Sequence, residues 1–374
     1  MTNPALLPEG LRDRLPPEAE ALGRVRGAVL WAAEMNGYAR VEPPLAEFET
    51  TIARGLKSSR PTDLLRMMDP ISQRTLALRP DITAQVGRIA ATRLAHAPRP
   101  LRLCYAGQVL KVRGTQLRPE REMCQAGCEL VGSDSVAAAI EAIRVALDAL
   151  TLAGAGGFTV DITLPDLVPT LAAGPLPLPA ERLDAVIAEL DGKDAGALAA
   201  LGAEAYLPLI EAAGPVDAAL ARLAGLDRGA VLASRLAGVR AIVAAIGDRA
   251  RITLDPTERH GFEYQSWIGF SLFVEGARGE IGRGGSYTIL HPDGHEEPAT
   301  GFSLYLDPLV AAGLAPSARP KVFLAEGYDA AAADRLHGQG YATVAALSAQ
   351  DDAARLGCAF IWANGALSPV TEGR

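Results

Sequence analysis

Two hydrophobic periods alternate along this chain. Residues 17–36 place Leu22, Val25, Val29, Leu30 and Ala33 at helical spacing, with Glu18 and Glu20 in the first turn, where a helix dipole favours negative charge. Gly37 ends that helix, and residues 38–41 read as a short strand closed by Pro43 and Pro44, which cannot donate to a ladder. A second strand, 75–78, runs into Arg79-Pro80-Asp81-Ile82-Thr83, after which 84–95 reads as helix. Residues 101–112 and 122–131 form two strands joined by loop 114–121, which carries Arg118 and Arg121; the pattern predicts an antiparallel hairpin with a basic loop.

Ser133 and Asp134 are placed to cap a helix running to 152, and 158–162 returns to strand. Residues 176–246 turn Ala- and Leu-rich with Gly and Pro breaks, the composition of a compact helical insertion. Strands resume at 251–254, 270–275 and 286–290, and a final apolar helix follows Thr300-Gly301-Phe302. Beyond Pro320 a small alternating pattern predicts strand 322–325, helix 330–337, strand 342–346, helix 349–355 and strand 359–362. The main strands are mostly consecutive and hairpin-linked, so the expected class is α+β. Its divisions are an antiparallel sheet flanked by helices (1–172 and 250–317), the insertion (173–249) and a small α/β C-terminal domain (318–374).

Composition narrows the function classes. The 374 residues are 49% hydrophobic and 21% charged, enough for a sizeable core, and the formal net charge of -8 leaves only a local basic patch able to attract a phosphate backbone. Cys104, Cys124, Cys128 and Cys358 are too few for a disulfide scaffold and suit a reducing compartment. The N-terminal residues lack a basic run followed by an apolar stretch, and no window resembles a membrane span. A cytoplasmic protein without membrane contact is expected.

Candidate chemistry concentrates in the hairpin. On residues 123–130 alternation puts Cys124, Ala126, Cys128 and Leu130 on one face, and Met123, Gln125, Gly127 and Glu129 on the other. The first face reads as core. The second reads either as the floor of a small-molecule site, with Gly127 admitting the ligand, or as a solvated sheet face. Lys111 and Arg113 share a face of the preceding strand and suit an anionic ligand or partner, although a solvated pair of charges is the simpler reading of the two alone. Cys124 and Cys128 lie roughly 13 Å apart on a strand and cannot share a zinc. His291 and His295 fit a plain exposed turn better than a metal site, and Gly282-Arg283-Gly284-Gly285 lacks the ending of a phosphate-binding loop. No metal, no cofactor and no catalytic residue set is expected.

Taken in order, the motifs over about residues 5–310 resemble the catalytic domain of class II aminoacyl-tRNA synthetases, and among them the histidyl enzyme and its regulatory paralogue. The resemblance rests on Leu7-Pro8-Glu9-Gly10-Leu11-Arg12-Asp13, Gly37-Tyr38-Ala39-Arg40-Val41 through Pro44, Leu78 to Thr83, and Gln125-Ala126-Gly127-Cys128-Glu129. It continues with Asp255-Pro256, Gly261-Phe262-Glu263-Tyr264, Gly284-Gly285-Ser286-Tyr287 and Thr300-Gly301-Phe302-Ser303-Leu304. It implies that Gly37 to Pro44 builds a dimer interface. It also implies a histidine pocket: Asp81 and Thr83 at the amino group, Gln125 beside them, and Glu129, Tyr264 and Tyr287 around the imidazole. Asp81 stands where synthetases often have Glu, and Gln265 where they have a second Tyr.

The same resemblance implies that the ATP half has changed. The phosphate-binding Arg of motif 2 falls at Lys111, the adenine-reading Glu at Arg113, the histidyl-specific Arg at His260 and the motif 3 Arg at Pro308. An Arg accepts no hydrogen bond and a Pro side chain donates none, while adenylyl transfer depends on positioned cations. The tail is shorter than an anticodon-binding domain, so no tRNA is expected. The implied role is a non-catalytic regulatory subunit that assembles with the short-form catalytic subunit of ATP phosphoribosyltransferase, as a homodimer within a larger hetero-oligomer, with histidine as the ligand. A divergent histidyl-tRNA synthetase and an amino-acid-binding paralogue with another partner are the competing expectations.

Overall fold

In a computed structural model, residues 6–52, 64–114, 119–227, 229–259 and 265–370 are described. The chain divides into two compact units, Met1–Pro316 and Ser317–Arg374. The first is built on a nine-stranded sheet. Across it run, in order, Ala39–Arg40, Leu101–Leu110, Glu122–Val131, Glu296–Tyr305, Gly282–Leu290, Gln265–Phe273, Thr159–Thr163, Arg251–Leu254 and Gly214–Pro215. The ladders are antiparallel except where Ala39–Arg40 meets Leu101–Leu110 and where Thr159–Thr163 meets Arg251–Leu254. A parallel pair needs a crossover, and the helical stretch between residues 164 and 250 is that crossover.

Helices cover the sheet. Glu18–Met35 buries Leu22, Val25, Val29, Ala32 and Ala33, and Gly37 follows it at φ +79, the left-handed conformation that stops a helix. Val136–Leu152 buries Ile143, Leu147 and Leu150 completely, each such side chain contributing about 1.5–3 kcal/mol. Its cap differs from the expectation: Ser135, not Ser133 or Asp134, accepts the Ala138 N–H at 3.2 Å, while the Ser133 hydroxyl bonds to that of Ser135.

Several elements depart from the sequence pattern. The first hairpin strand stops at Leu110, so Lys111 and Arg113 lie beyond the pleat and strand alternation does not set their face. The helix after Pro80 spans Thr83–Ala91, shorter than predicted, because Arg99 takes the carbonyls of Leu94, Ala97 and Ala90 into a tight turn. The segment around Thr300 is a ten-residue strand, Glu296–Tyr305, and the helix begins only at Leu306.

In the second unit, Lys321–Leu324 pairs in parallel with Ala342–Ala345 and Phe360–Ala363, and Ala366–Pro369 adds an antiparallel edge. Ala330–Gly338 is capped by Asp329. Residues 349–355 are turns rather than helix: Asp351 takes the N–H groups of Leu347 and Ser348, and Asp352 that of Arg355, so the side chains outcompete helical bonding. Among the described residues no helix is long and apolar enough to cross a membrane.

Candidate functional site

The hairpin fixes the site. Glu122–Val131 lies between two strands and is buried along nearly its whole length, with Gln125 at 0% and Glu129 at 1% exposure, which excludes a solvated face. Directly across from Glu129 on successive strands stand Gly301, Gly285 and Gly269, in register. Opposed residues share a face, so three strands in a row carry no side chain there and the sheet floor is bare beside the carboxylate. The fit is close: a Cβ on Gly301 would sit 1.8 Å from Glu129 Oε2 and 2.5 Å from the Cys128 carbonyl oxygen.

A chain of hydrogen bonds orders the polar groups. Gln125 donates from Nε2 to Asp81 Oδ2 at 2.6 Å and to Ser303 Oγ at 2.7 Å, and its Oε1 accepts the Ile82 N–H at 3.0 Å. Asp81 Oδ1 accepts the Thr83 N–H at 2.7 Å, which starts the following helix. The Tyr105 hydroxyl donates to Glu129 Oε1 at 3.1 Å, so its contacts to Ser303 Oγ at 2.8 Å and Thr83 Oγ1 at 3.2 Å are ones in which it accepts. Tyr287 donates to Glu129 Oε2 at 2.6 Å. Thr83, Glu129, Tyr287, Phe302, Ser303, Arg283 and the backbone of Gly284, Gly285 and Gly301 line a narrow cavity of about 10 Å³, so a ligand must part these side chains to enter.

Burial dominates the electrostatics of this cluster. Loss of water pushes the Glu129 carboxyl up to about 8, with Asp81 adding to the rise, while hydrogen bonds from Tyr287, Thr83 and Tyr105 oppose it. Glu129 is therefore largely protonated near neutrality, a group that both donates and accepts. Arg283 makes a two-point contact with Glu280, Nε to Oε1 at 2.7 Å and Nη2 to Oε2 at 2.8 Å, on the rim of the same cavity.

Asp81, Thr83, Gln125, Glu129 and Tyr287 are thus brought into one network; His260, Tyr264 and Arg118 lie outside the described residues. Lys111 and Arg113 are exposed at the end of the hairpin strand, with Lys111 Nζ 5.8 Å from the Tyr305 ring centroid. Pro308 occupies the first turn of Leu306–Ala311, where a missing N–H costs no helical bond, and its neighbour Asp307 holds Arg14 at 2.8 Å and the Cys124 N–H at 2.7 Å. Gly127 does not admit a ligand. The space its Cβ would fill holds the Phe302 carbonyl oxygen at 2.1 Å and the Tyr105 hydroxyl at 2.7 Å.

Tyr105, Ser303, Arg283 and the glycine row are missed by sequence reasoning. Tyr105 sits opposite Gly127 in the hairpin register, a pairing that spacing alone would have suggested. The alignment of Gly269, Gly285 and Gly301 needs the order of non-consecutive strands. Burial pushes Cys124 up to about 11, and the four cysteines are buried free thiols. His291, in the turn before strand Glu296–Tyr305, bonds Glu297 of that strand at 2.8 Å.

The family model described as Histidyl-tRNA synthetase matches residues 10–309. With the antiparallel sheet and the buried polar floor, it defines a protein built on the class II, histidyl-type synthetase domain. The chain is 43% identical to the ATP phosphoribosyltransferase regulatory subunit of Rhodospirillum centenum, over 98% of this chain and 97% of that one. It is also 43% identical to the regulatory subunit of Paramagnetospirillum magneticum, over 94% and 93%. Among solved structures it resembles an ATP phosphoribosyltransferase regulatory subunit/histidyl-tRNA synthetase from Bacillus halodurans at TM-score 0.79 and 23% identity, covering 95% of this chain and 97% of that chain. The chain belongs to the family of ATP phosphoribosyltransferase regulatory subunits.

Proposed function

We propose that this chain assembles with a short-form catalytic subunit of ATP phosphoribosyltransferase, raises its activity at the first step of histidine biosynthesis, and carries feedback by histidine without aminoacylating tRNA itself. The observation that carries this reading is the contrast between two halves of one site. Buried Thr83, Gln125, Glu129 and Tyr287 and half-buried Asp81 join one network through Tyr105 and Ser303 beside a bare glycine floor, suited to a small ligand with an ammonium and an imidazole. The neighbouring positions that would grip ATP carry exposed Lys111 and Arg113, and Pro308 without a donor.

In this reading Asp81, held by Gln125 and the Thr83 N–H, receives the amino group. Glu129, held by Tyr105 and Tyr287, meets the imidazole, whose basic nitrogen takes up the proton of a carboxyl with a raised pKa. The family resemblance assigns Tyr264 to the same pocket and His260 to the altered ATP half. Histidine inhibits by binding one state of the assembly more tightly than another. The homodimer within the hetero-oligomer uses the surface around Gly37 to Pro44, and residues 173–249 act as a helical insertion in the synthetase-like domain.

Mixing the purified chain with a short-form catalytic subunit tests this. Co-elution, a gain in phosphoribosyltransferase rate and loss of that rate with histidine are the expected results, together with no histidine-dependent exchange of pyrophosphate into ATP by the chain alone. No co-elution and no gain would overturn the reading, and exchange would favour a synthetase.

A further inference from the structure

The glycine row has a second end. Beyond Gly269 its register continues to Thr163, whose hydroxyl donates to the carbonyl oxygen of Glu258. The segment 255–259 is therefore anchored at the far end of that register, four strands from Glu129, and the sequence runs from it through five residues into Gln265–Phe273, whose first residue pairs with Tyr287. What holds that segment comes from the helical crossover. Lys193 Nζ reaches Asp255 Oδ1 at 2.6 Å and Thr257 Oγ1 at 2.7 Å, Asp191 Oδ1 accepts the Arg259 N–H at 2.8 Å, and the Thr257 hydroxyl lies 3.4 Å from the Leu190 carbonyl oxygen.

Backbone conformation at Lys193 points the same way. The helix Ala180–Asp191 ends with the Asp194 N–H on the Glu189 carbonyl and the Lys193 N–H on that of Leu190, the two bonds of a Schellman cap. That cap needs a left-handed residue and favours glycine, yet Gly192 stands one place earlier and Lys193 takes φ +56. A lysine in the strained position puts an ammonium within reach of the 255–257 turn, where a glycine would offer nothing.

The charges around the turn explain why an ammonium is needed. Asp161 on strand Thr159–Thr163, Asp191 at the helix end, Asp255 and Glu258 in the segment, and Glu280, itself paired with Arg283, surround Glu258. Burial first, and then Asp161, Asp255, Asp191 and Glu280, push Glu258 up to about 7.

We propose that Lys193, with Asp191, is a positioning residue of the ligand site: the end of the crossover helix clamps segment 255–259 and so sets where the chain enters strand Gln265–Phe273 beside Tyr287. This rests on the reading of that pocket as a histidine site. It makes the helical crossover part of the sensing apparatus, able to couple anything that binds the crossover to the pocket.

The test uses the full chain with Lys193→Met, Lys193→Arg and the pair Lys193→Met with Asp255→Asn. Histidine affinity is measured by calorimetry at pH 6 and pH 8, with amide hydrogen exchange on strand Gln265–Phe273. Lys193→Met is expected to weaken histidine by about tenfold and to speed exchange at the start of that strand. The ratio of mutant to wild-type affinity should be closer to one at pH 6, where Glu258 is protonated. Lys193→Arg and the double variant should restore binding, which a change in global stability would not produce. If the wild type binds histidine and Lys193→Met matches it with unchanged exchange, the clamp is excluded. If the wild type binds no histidine, the pocket reading fails by itself, and exchange alone decides the clamp: faster in Lys193→Met supports it, unchanged excludes it.

Discussion

The Tyr287 hydroxyl donates to Glu129 Oε2 at 2.6 Å, joining two strands whose contact residues are 158 positions apart in the chain. With Tyr105 on the other carboxyl oxygen, the pair leaves Glu129 solvated by phenols rather than by cations. A carboxyl in that setting is expensive to ionise, and this one property makes the site both a stability element and a ligand receptor.

A pH dependence of stability follows from Glu129. Its ordinary value of 4.5 is raised to about 8 in the folded chain, so the folded state holds a proton that the unfolded state has already lost between those values. Stability attributable to this group is complete below about 4.5 and is lost as pH rises through about 8. Glu129→Gln removes the effect. Urea unfolding from pH 5 to pH 9 should show the wild type losing stability relative to Glu129→Gln by an amount on the order of a few kcal/mol. A pH-independent difference would show that Glu129 is ionised throughout.

The glycine floor has a steric test. In Gly301→Ala the new methyl meets the Cys128 carbonyl oxygen and Glu129 Oε2, so strands Glu122–Val131 and Glu296–Tyr305 must part. A loss of about 1–3 kcal/mol in unfolding free energy is expected, with loss of histidine binding. Wild-type stability and wild-type histidine binding in this variant would exclude a close-packed glycine floor at Gly301.

Arg79 is a structural cation rather than a ligand group. At 7% exposure it donates to the carbonyl oxygens of Gln108 at 2.7 Å and Pro43 at 2.8 Å, and burial lowers its pKa. Arg79→Met leaves both carbonyls without that donor, and a loss of about 2–4 kcal/mol in unfolding free energy is expected, read as a lower denaturant midpoint at constant slope.

Asp307 makes a comparable brace. It takes the Arg14 guanidinium and the Cys124 N–H, tying the N-terminal segment to the hairpin beside the Pro308 helix. Asp307→Ala leaves the half-buried Arg14 guanidinium with only Glu122, at 3.6 Å, among the described residues, and should cost about 1–3 kcal/mol, whereas Arg14→Met combined with Asp307→Leu should recover part of it. Thermal unfolding of the single and double variants distinguishes the two outcomes.

The long periodic elements are legible in the sequence: the pattern predicting a helix over 17–36 corresponds to Glu18–Met35, and that for the second hairpin strand to Glu122–Val131. Local chemistry decided the failures. Glu296–Tyr305 is hard to read as a strand because Pro298 and Gly301 interrupt its pattern, and only pairing on both sides holds it. Residues 349–355 offered helical spacing, but Asp351 and Asp352 bind the local backbone instead. In the site, the order of short motifs groups Asp81, Gln125, Glu129 and Tyr287. Their bonding order, with Tyr105 and Ser303 as connectors, depends on strand register between segments far apart in sequence. The same holds for Lys193, whose role depends on a contact across the crossover.

The most direct measurement is a histidine titration of the phosphoribosyltransferase rate in the reconstituted complex, comparing the wild-type chain with Glu129→Gln. The account predicts that both chains activate the catalytic subunit and that the midpoint for histidine inhibition rises by at least about tenfold in Glu129→Gln, as loss of a buried charge-assisted contact requires. Identical histidine inhibition in the two complexes would contradict it and move the histidine site away from this pocket.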